Sequence, residues 1–320
     1  MLNFRKMAAV VLLASAPAIA QAQNYPAGQI TVISPYSPGG PGDLMGRILA
    51  EGLQAELGRT AVLEAKGGAG GNTGSAEVAR AKPDGLTLLL GGETIVTVNP
   101  HIYKNLPYDP RKDLKPIATI GSYALALSAN ASLGAKNVQD LIELSKKRPV
   151  KFSSGGIGSP GQLALERFKL ATGINAVHVP YKGGNPAALA LLSGEVDAGF
   201  LSISVTAPNI ATGKVIGLAV ADAGRDALLP DVATLSEQGV KDADTRLTYV
   251  LMAPAKLPPE LAAILEEKTR KIFSTPESKK RLRAAGIDPT FMSAAETKAW
   301  LDRQFDVWGK VAGAARMSLN

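Results

Sequence analysis

The stretch from Gln29 to Asp43, QITVISPYSPGGPGD, decides the fold class. Its first part, residues 29–34, is a short apolar run, which predicts a buried β-strand. The glycines and prolines that follow predict a turn, and over residues 43–57 the apolar side chains recur at helical spacing. A buried strand, a glycine-rich turn and an amphipathic helix in this order begin a βαβ unit, the repeating element of α/β proteins.

The same alternation continues along the chain. Up to residue 90, we predict strands at 61–64 and 87–90 and a helix at 73–82. The second series is predicted to contain strands at 123–128, 151–154, 177–180, 196–201 and 215–220, with helices at 138–147, 162–172 and 187–192. The last third is predicted to form a strand at 247–253 and helices at 258–273, 276–285 and 294–311. This order implies right-handed crossovers and parallel strands covered by helices.

Two separate α/β series predict two lobes rather than one extended sheet. The C-terminal helices need a sheet to cover, so we expect the strand at 247–253 to return the chain to the first lobe. The expected boundaries are 23–122 and 247–320 for lobe 1, and 123–246 for lobe 2. The chain then crosses between the lobes near Gly121 and near Arg246, and the two crossing strands would form a hinge.

The first 22 residues have the pattern of a secretory signal peptide. Arg5 and Lys6 form a cationic start, an uncharged run follows over residues 8–20, and Ala20-Gln21-Ala22 is a small-x-small cleavage site. A membrane-spanning helix needs about 20 apolar residues, and Pro17 disfavours a buried N-terminal helix. We therefore expect cleavage near Ala22 and a mature protein in the periplasm.

Composition narrows the chemistry. The chain has 0 cysteines, which excludes a disulfide framework and thiolate metal sites. Its 2 histidines, His101 and His178, lie far apart without carboxylates at metal-ligand spacing, and we expect both to be structural. The sequence predicts no metal site, no cofactor, no catalytic residue and no enzymatic activity.

The charge pattern argues for small anions as ligands. The net charge is +7, and Arg5 and Lys6 contribute two of these charges, so the remaining chain carries +5. Acids and bases are interspersed and aromatic residues make up only 5%, whereas nucleic-acid binding usually requires a concentrated basic face. We expect a monomer that attracts small anions and binds no nucleic acid.

Four glycine-rich turns, at 38–43, 67–72, 154–159 and 182–185, stand between predicted strands and helices. Glycine lets the backbone approach a ligand, and the helix N-terminus behind it offers free N–H groups to an anion. One such turn is explained by a tight loop, but four at strand carboxyl ends favour a shared anion-binding cleft. The candidate ligand-binding residues are Tyr36, Ser37, Gly39, Gly40, Asp43, Gly70, Gly71, Asn72, Ser154, Gly158, Ser159, Tyr181 and Ser202.

Three of these candidates have a structural alternative. For Asp43 we favour a role as helix N-cap, because its carboxylate would repel an anionic ligand that carries no amine. Tyr36 and Tyr181 either wall the pocket or belong to the core.

A nucleotide-binding alternative depends on residues 156–161, which match GxGxxG after a predicted strand. The next strand, at 176–180, ends without the acidic residue that would hold a ribose, and Pro160 is unusual in such a turn. No Walker A motif is present, and Ser159 lacks the glycine two residues earlier that a GxSxG nucleophile elbow requires, since position 157 is isoleucine. An NAD-linked enzyme is therefore the weaker hypothesis.

Taken together, the motifs resemble substrate-binding proteins of the tripartite tricarboxylate transporter type, also called the Bug family. The resemblance runs in order over nearly all of the expected mature chain. It is carried by residues 35–40 with Asp43, 68–71, 82–85, 106–110, 154–159, 178–183, 229–232 and 253–255.

The resemblance implies a two-lobed Venus-flytrap, the type II periplasmic-binding-protein fold, that closes on a carboxylate or dicarboxylate. It implies that loops 35–40 and 154–159 clasp the ligand from opposite lobes through backbone amides, hydroxyls and bound waters. The implied partners are the membrane subunits of a transporter, and a sensor receptor is the alternative. Residues 64–67 and Tyr249 depart from the family pattern and leave the ligand open.

Overall fold

The computed structural model of the protein describes Tyr25, residues 27–36 and residues 38–319. The predicted signal peptide, its cleavage site and the candidate Ser37 lie outside the described residues.

The described residues form an α/β structure whose elements follow the predicted order. The strands are β1 (Ile30–Ser34), β2 (Ala61–Ala65), β3 (Thr87–Gly92), β4 (Leu114–Asn130), β5 (Val150–Ser154), β6 (Ala176–Pro180), β7 (Ala198–Ser202), β8 (Val215–Val220) and β9 (Arg246–Pro254). The helices are α1 (Pro41–Leu57), α2 (Asn72–Arg80), α3 (Thr94–Thr97), α4 (Asn99–Ile102), α5 (Val138–Lys147), α6 (Pro160–Thr172), α7 (Gly184–Ser193), α8 (Ile203–Ala211), α9 (Pro259–Ser274), α10 (Pro276–Ala284) and α11 (Ala294–Ala314).

Every predicted element is present, and the differences are local. The short helices α3 and α4 were not predicted, because four residues are too few to show helical spacing. Helix α8 was also missed, since Pro208 lies inside it. Strand β4 begins at Leu114 rather than at residue 123. Its pairing with β9 continues past Pro116 and Gly121 because the register shifts beside each of them.

The strands form two halves that share β4. The order is β2-β1-β3-β9-β4-β7-β5-β6, and β8 pairs with β4 outside this path. Residues 114–124 of β4 pair with β9, whereas residues 125–130 pair with β7 and β8. Strand β9 also pairs with β3, with Leu89 opposite Met252, so the predicted return of the chain to the first sheet is confirmed.

Buried apolar side chains fix the helices on this sheet. In α1, Ile48, Leu49 and Leu53 are buried against the first half of the sheet, as the predicted stripe requires. Helix α9 packs on α1 and β4 and buries Leu261 and Leu265. The C-terminal helices therefore cover the first half, as the topology prediction required.

This topology places the glycine turns in two groups. Strands β1 and β2 are parallel neighbours, so the turns that follow them lie at one edge of the first half. Strands β5 and β6 are likewise parallel neighbours, and the turns at 154–159 and 182–185 lie together at one edge of the second half. The amide of Gly183 donates a hydrogen bond to the carbonyl of Gly155 at 3.2 Å, which joins these two turns directly.

Candidate functional site

The turn after β1 is anchored by Tyr36. Its hydroxyl accepts a hydrogen bond from the amide of Gly92 at 3.0 Å, and its ring meets that of Tyr249 edge-on, with centroids 6.1 Å apart. Burial raises the pKa of the Tyr36 phenol, so the group stays neutral. Tyr36 thus joins the turn to the end of β3 and to the returning strand β9.

The start of α1 corrects the expected role of Asp43. The N-cap position is Gly40 and the helix begins at Pro41, so Asp43 lies in the first turn and is not the cap. Proline is well suited to the first helical position, which moves the start of the helix ahead of Asp43. The Asp43 carboxylate pairs with Nε of Arg47 at 3.1 Å, one turn further along. Gly39, with φ of +90°, completes this exposed turn.

The turn after β2 is held by an amide network. Gly70 and Gly71 both have positive φ, at +64° and +92°, and lead into α2. Asn99 of α4 donates one hydrogen bond to the carbonyl of Gly70 at 3.1 Å and another to Oδ1 of Asn72 at 2.8 Å. Asn72 is buried, and its side-chain nitrogen has no hydrogen-bond partner among the described residues. This turn therefore retains a buried donor that is not used within the described protein.

In the turn after β5, Ser154 and Ser159 lie together with a histidine. The Ser159 hydroxyl donates to Ser154 Oγ at 3.1 Å, and His178 Nε2 lies 2.6 Å from the same atom. Ser154 is only 1% exposed, whereas Ser159 is partly exposed. Only Ser159 can present a hydroxyl outward from this pair.

Steric contacts explain why glycine stands at two positions in and after this turn. A Cβ built on Gly161 would lie 2.5 Å from the carbonyl oxygen of Phe200, so any other residue there would force α6 away from β7. Gly158 has φ of +74°, and a Cβ on it would lie 3.0 Å from the side chain of Ile102. Packing thus explains Gly158 and Gly161 of the GxGxxG match, and Gly158 lies against α4.

Helix α6 also packs against the C-terminal helix. Leu163 of α6 shares a buried cluster with Val98, Ile102, Trp308 and Ala312. Helix α6 therefore contacts α4, whose Asn99 is hydrogen-bonded to the turn after β2.

Two candidates have hydroxyl groups that are engaged away from these turns. The Tyr181 hydroxyl donates to Oε1 of Glu195 at 2.7 Å, and burial together with this carboxylate raises its pKa to about 12. Ser202 lies opposite Leu125 in β4, and its hydroxyl is hydrogen-bonded to that of Ser204 at 2.9 Å. The backbone of Tyr181 does lie with the second group of turns, since its amide donates a hydrogen bond to the carbonyl of Ser154 at 2.9 Å.

Glu93, which the sequence reasoning missed, follows β3 at the same edge as Tyr36. It is 1% exposed, and neither its Oε2 nor the nearby indole nitrogen of Trp308 has a hydrogen-bond partner among the described residues. Burial raises the pKa of Glu93 well above its ordinary value, although the indole of Trp308 opposes this shift. Gly91-Gly92 after the predicted strand at 87–90 was the signal that could have identified this position.

Arg246 ties the two halves at the strand crossing. Its Nε donates to the Ser122 hydroxyl at 2.8 Å and its Nη2 to Asp288 at 2.5 Å, while Nη1 donates to Asp222. Asp222 follows β8 in the second half, and Asp288 pairs with β4 beside the first half. This network fixes the point at which the chain crosses.

Two surface cavities lie apart from the candidate residues. One of about 730 Å³ lies between α11 and the segment 100–112, and one of about 290 Å³ lies beside Arg246. Among the described residues, no helix has the length and apolarity to cross a membrane, and no three acidic or histidine side chains converge as metal ligands would.

Comparison with known proteins identifies the family. Residues 45–316 match the model of the tripartite tricarboxylate transporter family receptor. The chain belongs to this family. It is 34% identical to a UPF0065 protein of Bordetella pertussis, over 96% of this chain and 95% of that protein. It is 30% identical to Protein BugT of the same organism, over 97% of both chains.

Solved structures confirm the fold. The periplasmic binding protein BugD superposes with a TM-score of 0.83 at 30% identity, over 92% of this chain and all of that one. The R. palustris protein Rpa4515 with adipate gives 0.86 at 29% identity, with the same coverage. MatC from Rhodopseudomonas palustris with bound malate gives 0.81 at 25% identity, over 90% of this chain and 99% of that one. The predicted two-lobed periplasmic-binding-protein fold and the predicted family are therefore confirmed, and the chain is a solute-binding protein.

Proposed function

We propose that this protein captures a small organic carboxylate in the periplasm and delivers it to the membrane subunits of a tripartite tricarboxylate-type transporter. The observation that carries the proposal is the pairing of glycine-rich turns at the carboxyl ends of parallel strands in both halves of the sheet. Relatives solved with adipate and with malate support a carboxylate as ligand. The proposed lobes are 23–122 with 247–320, and 123–246.

The chemistry of the proposed site is that of neutral donors. The turns after β1 and β5 each lead into the N-terminus of a helix, α1 and α6, and the positive end of each helix dipole attracts an anion. Ser159 adds a hydroxyl, and Asn72 adds a buried amide donor that has no partner within the described residues. A carboxylate held between two such turns stabilises the closed form, because only that form brings both turns to the ligand.

We propose a binding role rather than catalysis. The described contact most like a catalytic pair is that between Ser154 and His178, at 2.6 Å. Ser154 is buried and its oxygen already contacts Gly156 and Ser159, so it cannot reach a substrate carbon in this arrangement. An NAD-linked enzyme is disfavoured because β6, Ala176–Pro180, ends without the acidic residue that would hold a ribose.

A screen of thermal stability tests the proposal. The full chain is melted with mono-, di- and tricarboxylates of three to eight carbons, including adipate, malate and aromatic acids, against sodium chloride of equal ionic strength. We expect at least one acid to raise the melting temperature, because a ligand that binds only the native state stabilises it by mass action. Small-angle scattering with that acid should show a smaller radius of gyration. An unchanged melting temperature across the panel would refute carboxylate capture.

A ligand-presenting sensor subunit is the alternative to transport, because both functions use the same closing clamp. Genes for transporter membrane subunits beside the gene of this protein would favour uptake, and a sensor kinase gene would favour signalling. Titration of nicotinamide fluorescence with the protein tests the enzyme hypothesis, and no change is expected.

A further inference from the structure

We propose that His178 is a positioning residue of the carboxylate site, which acts through Ser154 to set the direction in which the Ser159 hydroxyl donates. The inference rests on the proposed function, and it adds a residue that was expected to be merely structural. The argument rests on a row of three side chains, His178, Ser154 and Ser159, in which the central Ser154 is buried and Ser159 is partly exposed.

The oxygen of Ser154 is surrounded by more partners than a hydroxyl can bond. Its distances are 2.6 Å to His178 Nε2, 3.1 Å to Ser159 Oγ, 3.2 Å to the Gly156 amide and 3.0 Å to the Gly156 carbonyl. A hydroxyl donates one hydrogen bond and accepts two. The four contacts therefore cannot all be hydrogen bonds at once, and the state of His178 decides which are made.

In the first state, Nε2 of His178 carries no proton. Ser154 then donates to Nε2 and accepts from the amide of Gly156 and from the Ser159 hydroxyl. The hydrogen of Ser159 is used inside the protein, so a ligand at this partly exposed side chain would meet its lone pairs. Lone pairs repel a carboxylate, so this state opposes binding.

In the second state, Nε2 of His178 carries a proton and donates it to Ser154. Ser154 then donates to the carbonyl of Gly156 and still accepts from the Gly156 amide, so both of its acceptor positions are filled. The Ser159 hydroxyl is released and can donate to a carboxylate oxygen. Carboxylate binding thus selects the protonated form of Nε2.

Burial, together with the charge of Lys169, lowers the pKa of His178 below its usual 6.5, so the imidazole is neutral at pH 7 in the free protein. Lys169 is itself paired with the buried Glu166 at 3.0 Å. The charged groups of the surrounding segments are Lys151 on β5, Lys182 after β6, and Glu166, Arg167 and Lys169 on α6. These cations disfavour the imidazolium, so the free protein at neutral pH holds the neutral imidazole. We assign its proton to Nδ1, because Ser154 accepts from the Ser159 hydroxyl and the Gly156 amide and so has its own proton left for Nε2.

Nitrogen-15 NMR of the full chain, without ligand at about pH 7.5, tests the network directly. We expect His178 to be protonated on Nδ1 with a free Nε2, and the Gly156 and Ser159 amide shifts to follow its titration towards lower pH. His101 is the reference in the same spectrum, because its Nε2 lies 2.9 Å from the carbonyl of Phe305 and must donate to it. A His178 that already carries its proton on Nε2, or amide shifts that ignore its titration, would overturn the inference.

Binding of adipate, malate and any other acid that raises the melting temperature supplies the second measurement. The dissociation constant of wild type should fall about fivefold from pH 8 to pH 5.5, as the second state becomes populated. His178→Gln, whose amide can donate at the Nε2 position, should lose most of this dependence, whereas His101→Gln should keep it. Equal pH dependence in both variants would overturn the inference. If no acid binds while the free-protein NMR behaves as expected, the proposed function fails and the network stands.

Discussion

Replacing Gly161 with alanine adds a methyl group where α6 meets β7. The new Cβ would lie 2.5 Å from the carbonyl oxygen of Phe200 and 3.1 Å from Cβ of Ser154, whereas ordinary contact begins at 3.4 Å. The carbonyl belongs to a central strand and cannot rotate away as a flexible side chain would. The two backbones must therefore separate by about 0.9 Å, the difference between 3.4 and 2.5 Å.

Two effects of opposite sign set the change in stability. Overpacking of this kind costs about 1–3 kcal/mol, while alanine in place of glycine in a helix gains up to about 1 kcal/mol. Gly313→Ala is the matched control, because Gly313 is exposed near the end of α11 and a Cβ there meets nothing within 4 Å. The difference between the two variants isolates the contact, and we expect Gly161→Ala to be less stable than Gly313→Ala by about 1–3 kcal/mol.

Urea unfolding at 25 °C, followed by circular dichroism, measures both free energies of unfolding. A second readout is carboxylate affinity, which should fall in Gly161→Ala because the methyl group displaces Ser154, and should stay at the wild-type value in Gly313→Ala. Equal stability of the two variants would show that α6 and β7 separate at no cost, and the steric explanation of this glycine would be wrong.

Three further substitutions test other parts of the structure. Ser159→Ala should weaken carboxylate binding by about 1 kcal/mol, roughly fivefold, in a calorimetric titration, and unchanged affinity would remove Ser159 from the site. Burial raises the pKa of Glu93, so the native state favours the protonated carboxyl and wild type loses stability as pH rises above 4.5. The free energy of unfolding of Glu93→Gln, measured in urea, should therefore increase relative to that of wild type between pH 4.5 and 8. A difference that stays constant with pH would contradict the raised pKa. Arg246→Met removes the bonds to Asp222 and Asp288 and should cost about 1 kcal/mol at low salt and less in 1 M sodium chloride, whereas a salt-independent loss would indicate lost packing instead.

Local sequence predicts the elements of this fold because the pattern of each one is contained within a few residues. The apolar run at 29–34 and the helical spacing at 43–57 predicted β1 and α1, with the helix starting two residues before the predicted position. The register of β4 depends instead on partners far along the chain, since β9 lies opposite its first half and β7 and β8 opposite its second. No local pattern predicts that one strand of 17 residues serves both halves.

In the candidate site, too, the sequence predicts local features but not those that depend on distant partners. Glycine turns identify where the backbone can approach a ligand, and the structure gathers them into two groups by placing β1 beside β2 and β5 beside β6. The roles of the side chains were harder to predict from the sequence, because they depend on which residues are neighbours in space. His178 lies beside Ser154 only because β5 and β6 are parallel partners, and the hydroxyl of Tyr181 is occupied by Glu195 on the far side of α7 in sequence.

Three arginines of the described chain are engaged in bonds within the protein, which favours recognition by neutral groups in the proposed site. Arg47 is paired with Asp43, Arg167 donates to the carbonyl of Asp242 at 2.8 Å, and Arg246 bridges two aspartates at the crossing. These three guanidinium groups already hold parts of the protein together, and the proposed site offers a carboxylate helix N-termini, the Ser159 hydroxyl and the buried amide of Asn72. Hydrogen bonds from these neutral donors have narrow angular preferences. Discrimination among carboxylates in such a site then depends on where the donors point, which is why the direction of a single serine hydroxyl matters.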